Sequence, residues 1–188
     1  MPVLVIILDY LLGSIPTAYI AGHITRGRDI RQIGDGNMGA QNAFRQLGPK
    51  TGIIVGIIDA IKGALAVLLA YALGVPLLAI LLAGVAAVIG HNWPIFLGFR
   101  GGRGECTTIG VFSVLITIPI LISGALAIAI IVKTGNVMRA SIVMFVTLPL
   151  LCWWFSMPGL LVAYSTLLPV IVGITHFIRT KQRMIIPA

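Results

Sequence analysis

Six apolar stretches, at 3–24, 51–73, 75–91, 108–132, 141–157 and 159–178, limit what this chain can fold into. Several exceed the ~18 residues that mark a candidate membrane-spanning helix. Charge is scarce as well: 10% of the 188 residues are charged and 59% are hydrophobic, against about 25% charged in an average soluble domain. Too little polar side chain remains to cover a water-exposed surface, so lipid must solvate the rest. Helices apolar on every side suit that environment, which is why periodicity adds little here. No positive residue precedes the first stretch, and Asp9 sits inside it. It is therefore expected to stay as an inserted helix rather than be cleaved as a signal peptide. The chain is expected to be an all-α membrane protein forming one integral membrane domain over 1–188. Cys106 and Cys152 have no metal or redox spacing and read as free thiols.

The basic residues collect between the stretches: Arg26, Arg28, Arg31, Arg45 and Lys50, then Arg100 and Arg103, then Lys133 and Arg139, then Arg179, Lys181 and Arg183. The turns near Gly74 and at Pro158-Gly159 carry none. By the positive-inside rule the segments 25–50, 92–107 and 133–140 and the tail 179–188 face the cytoplasm. Six single crossings would put the third loop and the tail outside. Both return inside if 108–132 enters and leaves on one side, with a break near Pro119 and Gly124. Two halves of about a dozen residues would reach only roughly 18 Å each and would need covering by neighbouring protein. The expectation is a bundle of seven transmembrane or partly spanning helices, with the N-terminus outside.

Lys62 is the basic residue that escapes the loops, and Asp59 lies three residues before it on one helical face. Such a pair either packs as a buried ion pair or offers a cation to substrate, since ionisable groups inside membranes are functional or closely paired. Gly52 and Gly56 have the G-x-x-x-G spacing of close helix contact, which puts this helix centrally in the bundle.

Two loops have the composition of anion sites. Gly34-Asp35-Gly36-Asn37-Met38-Gly39 matches G-x-G-x-x-G literally. It follows a membrane helix rather than a strand, so it is no dinucleotide fingerprint. Glycine N–H groups leading into a helix nevertheless favour phosphate, and Asn37, Gln41, Asn42 and Arg45 follow at helical spacings. The second loop, Gly98-Phe99-Arg100-Gly101-Gly102-Arg103-Gly104, comes after His91-Asn92-Trp93-Pro94. Positive-inside anchoring explains its charge and an interfacial Trp93. It does not explain four glycines in seven residues, which with two arginines suit phosphate or carboxylate. His23, His91 and His176 lie far apart in sequence, so no metal is assigned. No G-x-S-x-G nucleophile elbow occurs. The net charge of +8 follows the membrane topology and does not indicate nucleic acid.

Taken in order, Gly13-Ser14-Ile15-Pro16, Gly36 to Asn42, Asp59-Ala60-Ile61-Lys62-Gly63 and Gly90-His91 through Gly104 resemble bacterial acyl-phosphate:glycerol-3-phosphate acyltransferases. The resemblance covers nearly the whole chain. It implies a seven-helix enzyme of the bacterial plasma membrane, acting on the cytoplasmic side without cofactor. Such enzymes pass a fatty acyl group from acyl phosphate to the 1-hydroxyl of glycerol 3-phosphate, giving lysophosphatidic acid and phosphate. No His is followed, after four intervening residues, by the Asp of soluble-type glycerolipid acyltransferases; the donor's own phosphate would accept the hydroxyl proton. By position, the resemblance makes Arg45, Arg103, Ser141 and His176 catalytic. Substrate-binding residues would be Asp35, Gly36, Asn37, Gly39, Asn42, Lys62, His91, Gly101 and Gly102.

Several positions depart from the family pattern. Asp35 and Gln41 replace hydroxyl residues, Arg103 a lysine, Glu105-Cys106 small apolar residues, and Arg179 an asparagine. A relative that binds phospholipid or acyl phosphate without catalysis, or takes another acceptor, is the alternative. A small transporter with Asp59 and Lys62 as a midplane relay is a third reading.

Overall fold

In a computed structural model, residues 1–185 are described, with side chains through Thr180. All regular secondary structure among the described residues is helical. The helices are α1 (Pro2–Gly13), α2 (Thr17–Arg26), α3 (Ala40–Leu47), α4 (Pro49–Ala72), α5 (Leu77–Asn92), α6 (Glu105–Leu115), α7 (Thr117–Thr134), α8 (Val137–Trp154) and α9 (Gly159–Ile185). Counting Pro2–Arg26 as one span, six are long and apolar enough to cross a membrane. At 11 residues, α6 reaches only about 16 Å and is the partly spanning seventh. The seven expected helical segments are therefore present, with α3 added as a short helix in the first loop.

The first span breaks where its sequence requires it. Pro16 has no N–H to continue α1, and the Ser14 hydroxyl donates to the Tyr10 carbonyl at 2.8 Å. The expected break near Pro119 falls earlier, at Ile116 (φ −141°) between α6 and α7. Pro119 lies in the first turn of α7, where a missing N–H costs nothing because no acceptor precedes it. The halves are consequently unequal, 11 and 18 residues. The third loop also shrinks. Gly135 (φ 65°) ends α7 and the Asn136 side chain accepts from Arg139 N at 3.0 Å to open α8, leaving a two-residue turn where 133–140 was expected. The tail expected from 179 continues α9 as helix to Ile185, and 186–188 lie outside the described residues.

The chain divides into two compact units, 1–111 with 172–188, and 112–171. In the first, α1 lies on α5 and α4 lies against α1, α2, α3 and α5. Glycines allow these approaches: a Cβ on Gly52 would strike the α3 backbone at Phe44, and one on Gly63 or Gly110 would strike a carbonyl across the α4–α6 contact. The G-x-x-x-G spacing thus serves close helix contact, as expected, with α3 as the neighbour at Gly52. In the second unit α7 packs along α8, and the Phe112 and Tyr164 rings meet edge to face at 6.0 Å.

Candidate active site

The first loop is shaped by its own polar side chains. Asp29 accepts from Arg31 N at 2.9 Å and caps a 3-10 turn over Ile30–Gln32. The Arg31 guanidinium returns to the same carboxylate at 2.7 Å, lies over the Tyr19 ring at 5.1 Å, and donates to the Leu97 carbonyl of the second loop. This hydrogen-bonded fork holds the Asp29 carboxyl below the usual carboxylate range. Fully buried Ile30 anchors the turn in a cluster with Ala18, Met38, Ala43, Leu47 and Val55.

Asn42 holds the glycine segment together. Its Oδ1 accepts from Asp35 N at 3.1 Å, while its Nδ2 reaches the carbonyls of Ile30, Ile33 and Asn37. Expected to bind substrate, this side chain is 1% exposed and its hydrogen-bonding groups are spent on the loop. Asp35 Oδ1 accepts from Asn37 N at 3.1 Å, and Gly36 N donates to the Ile33 carbonyl at 3.0 Å. Gly39 begins α3 without a side-chain cap, so the first N–H groups of that helix have the free, positive character that suits an anion.

The second loop folds back on the end of α5. Gly98 (φ 60°) and Phe99 (φ 61°) turn the chain in the left-handed region. Gly101 N then donates to the Asn92 carbonyl at 3.2 Å, and Gly102 N to the His91 carbonyl at 3.0 Å. These amides were expected to cradle phosphate, but α5 takes them. Absence of a side chain is what matters here: a Cβ on Gly101 would strike the His91 and Asn92 carbonyls, and one on Gly102 the His91 imidazole. Glu105 opens α6 in its first turn, where the positive helix end favours a carboxylate.

The two loops meet at Arg103. Its guanidinium approaches Asp35 Oδ2 at 3.5 Å, and its buried Nε has no partner among the described residues. Nearby in the first loop, Asn37 is 8% exposed and its Oδ1 is likewise unpartnered. A buried polar group without a partner costs about 1–3 kcal/mol. Six other buried side-chain atoms among the described residues share this state, on Asp9, Asp59, Asn92, Thr107 and Thr108, so it is the position of these two beside the loop contact at Asp35 that singles them out. His176 on α9 is half-buried within electrostatic reach of Arg103 and Asp35.

Other expected residues lie elsewhere. Arg45 is exposed on α3. Lys62 does not reach the loops: its ammonium sits on Asp59 Oδ1 at 2.9 Å and on the Ile15 carbonyl at 3.0 Å, 4% exposed. The same Asp59 oxygen accepts from Thr17 at 2.9 Å and lies 3.5 Å from His91 Nδ1. Lys62 and His91 thus join one buried network beneath the helix break, and His91 meets the site through its contact with Gly102. Ser141 stands in the second unit, where its hydroxyl donates to the Val137 carbonyl at 2.9 Å.

Sequence reasoning missed three groups at this end of α5. Arg179 donates through both terminal nitrogens to the Asn92 and Gly101 carbonyls. Asn92 is fully buried, with Nδ2 3.1 Å from Thr175 Oγ1, and the Tyr10 hydroxyl donates to the Trp93 carbonyl at 2.8 Å. An arginine three residues after His176, at the end of an apolar run, was the available signal for the first.

Comparison with known proteins gives this arrangement a context. The family model described as glycerol-3-phosphate acyltransferase matches residues 3–185. A glycerol-3-phosphate acyltransferase 4 of Dehalococcoides mccartyi is 51% identical over 97% of this chain and 98% of its own length. A glycerol-3-phosphate acyltransferase of Halalkalibacterium halodurans is 40% identical over 97% and 91%. Among solved structures, an integral membrane glycerol 3-phosphate acyltransferase in its glycerol 3-phosphate form superposes with a TM-score of 0.84. It is 29% identical, over 98% of this chain and 92% of that one. Matched over nearly its whole length, this multi-pass membrane protein belongs to the glycerol-3-phosphate acyltransferase family.

Proposed function

We propose that the chain is a glycerol-3-phosphate 1-O-acyltransferase of phospholipid synthesis that takes its acyl group from acyl phosphate and releases lysophosphatidic acid. Family membership supports the transferase activity and the acceptor. The observation that carries the site is the meeting of the two glycine loops at Arg103 and Asp35, where the Nε of half-buried Arg103 and the Oδ1 of buried Asn37 have no partner among the described residues. Arg103 neutralises a phosphate, Asn37 accepts from a glycerol hydroxyl, and the uncapped start of α3 receives a second anion. The 1-hydroxyl oxygen attacks the acyl carbonyl carbon, the carbon–oxygen bond to phosphate breaks, and the departing phosphate carries away the hydroxyl proton. Because a mixed anhydride is already activated, positioning and charge neutralisation supply the catalysis. His176 and Arg45 are assigned to the same site, and Ser141 keeps its assignment by family position. The positive-inside rule applied to the basic loops supports a site on the cytoplasmic face of the plasma membrane, with the N-terminus outside, from which a lysophospholipid product would enter the leaflet directly.

Asp35 does not speak against this reading. At 3.5 Å its contact with Arg103 is long for a charge-assisted hydrogen bond, about 2.7–2.9 Å, so an incoming phosphate displaces it. Replacing Arg103 with Ala tests the assignment. Transfer is expected to fall by about 100-fold or more with the protein still monodisperse in detergent. Turnover within two-fold of the parent would remove Arg103 from the site.

A further inference from the structure

Resting on the acyltransferase reading, we propose that Arg179 is a positioning residue that sets Arg103 in place by clamping the second loop to the end of α5. Both terminal nitrogens of its guanidinium are engaged, one on the Asn92 carbonyl and one on the Gly101 carbonyl. Asn92 is the last residue of α5, and Gly101 lies two residues before Arg103. One planar fork therefore bridges the helix terminus and the loop that carries the phosphate-binding cation. The carbonyl end of a helix is its negative pole, so a cation is stabilised there.

Three further contacts fit this role. Gly101 and Gly102 already donate to the Asn92 and His91 carbonyls, so the loop is seated on the helix end that Arg179 grips. Thr175, one turn before Arg179 on α9, meets Asn92 Nδ2 at 3.1 Å, which fixes α9 to the same residue twice. His176 lies on that same turn of α9. Arg179 and Arg103 are near enough to repel. Two like charges hold that spacing because the carbonyls occupy one of them, leaving Arg103 for substrate. A lysine brings the same charge but no fork, and cannot span two carbonyls in the same way.

The test is a kinetic cycle in lipid with palmitoyl phosphate and glycerol 3-phosphate, using R179K, R179Q, R103K and the doubles. In R179K the KM for glycerol 3-phosphate should rise roughly ten-fold, and in R179Q kcat should also fall toward roughly 100-fold, the scale of a 1 Å misplacement. The KM for palmitoyl phosphate should stay within two-fold. In the R103K background the effect of R179K should shrink below two-fold, because a clamp that acts through Arg103 has less to position. T175V, which cuts the other tie to Asn92, should raise the glycerol 3-phosphate KM in the same sense. Full additivity of R179K with R103K, or unchanged KM in well-folded R179K and T175V, would overturn the proposal. An inactive parent protein would instead sink the acyltransferase reading, a separate outcome.

Discussion

Replacing Asp59 by Leu, Lys62 by Met, and both together should reveal a strongly coupled pair. The two side chains are 1% and 5% exposed and 2.9 Å apart in the middle of a span. Asp59→Leu leaves an ammonium buried with only the Ile15 carbonyl and removes the acceptor of Thr17. Lys62→Met leaves a carboxylate served by the Thr17 hydroxyl and by His91, 3.5 Å away. Breaking a buried pair from one side costs about 3–5 kcal/mol, whereas replacing both members with apolar residues is often near neutral. Here the double variant still strands Thr17 and His91, at roughly 1 kcal/mol or somewhat more each. Each single change should therefore cost about 3–5 kcal/mol, and the double about as much as one single change rather than twice that. Reversible unfolding in mixed detergent–SDS micelles, followed by tryptophan fluorescence, measures all three. A double variant that costs the sum of the singles would show that the charges do not stabilise each other and would refute the reasoning.

Further predictions concern the first loop. Asn42→Ala deprives the Asp35 amide and three carbonyls of their partner and should cost about 2–3 kcal/mol; hydrogen exchange should show the loss confined to residues 30–42, and protection unchanged there would refute the assignment. Asp29→Asn keeps the cap but removes the charge facing Arg31. The native carboxyl is held below its usual range chiefly by the Arg31 hydrogen bond, so its stabilisation is present above the ordinary carboxylate pKa and lost as pH falls through the native one. The pair is partly exposed, so Asn should cost less than about 1 kcal/mol at about pH 7. That difference should close toward about pH 3 in paired unfolding titrations, and a gap that widens in acid would contradict the sign.

The spans were legible because lipid imposes a requirement that single residues announce: long runs without charge. The second loop of the candidate site was legible because four glycines beside two arginines have no anchoring explanation. Contacts that bring distant residues together were harder to read. Asn42 looked like a ligand because nothing in its neighbourhood says that a buried amide will serve four backbone groups at once. The glycines of the second loop were recognised, but for the wrong physics: their missing side chains, more than their amides, let the loop sit on α5. Arg179 registered as a departure from a pattern, and only the fold shows it reaching the end of α5. The break at Ile116 was misplaced because a proline in the first turn of a helix looks, in sequence, like one that interrupts it.

Acyl transfer by the purified protein in lipid tests the central claim most directly. Radiolabelled glycerol 3-phosphate would be supplied with palmitoyl phosphate or with palmitoyl-coenzyme A. The account predicts labelled lysophosphatidic acid with the acyl phosphate and none with the thioester. No product from acyl phosphate, from a folded sample assayed beside an active relative, would contradict it.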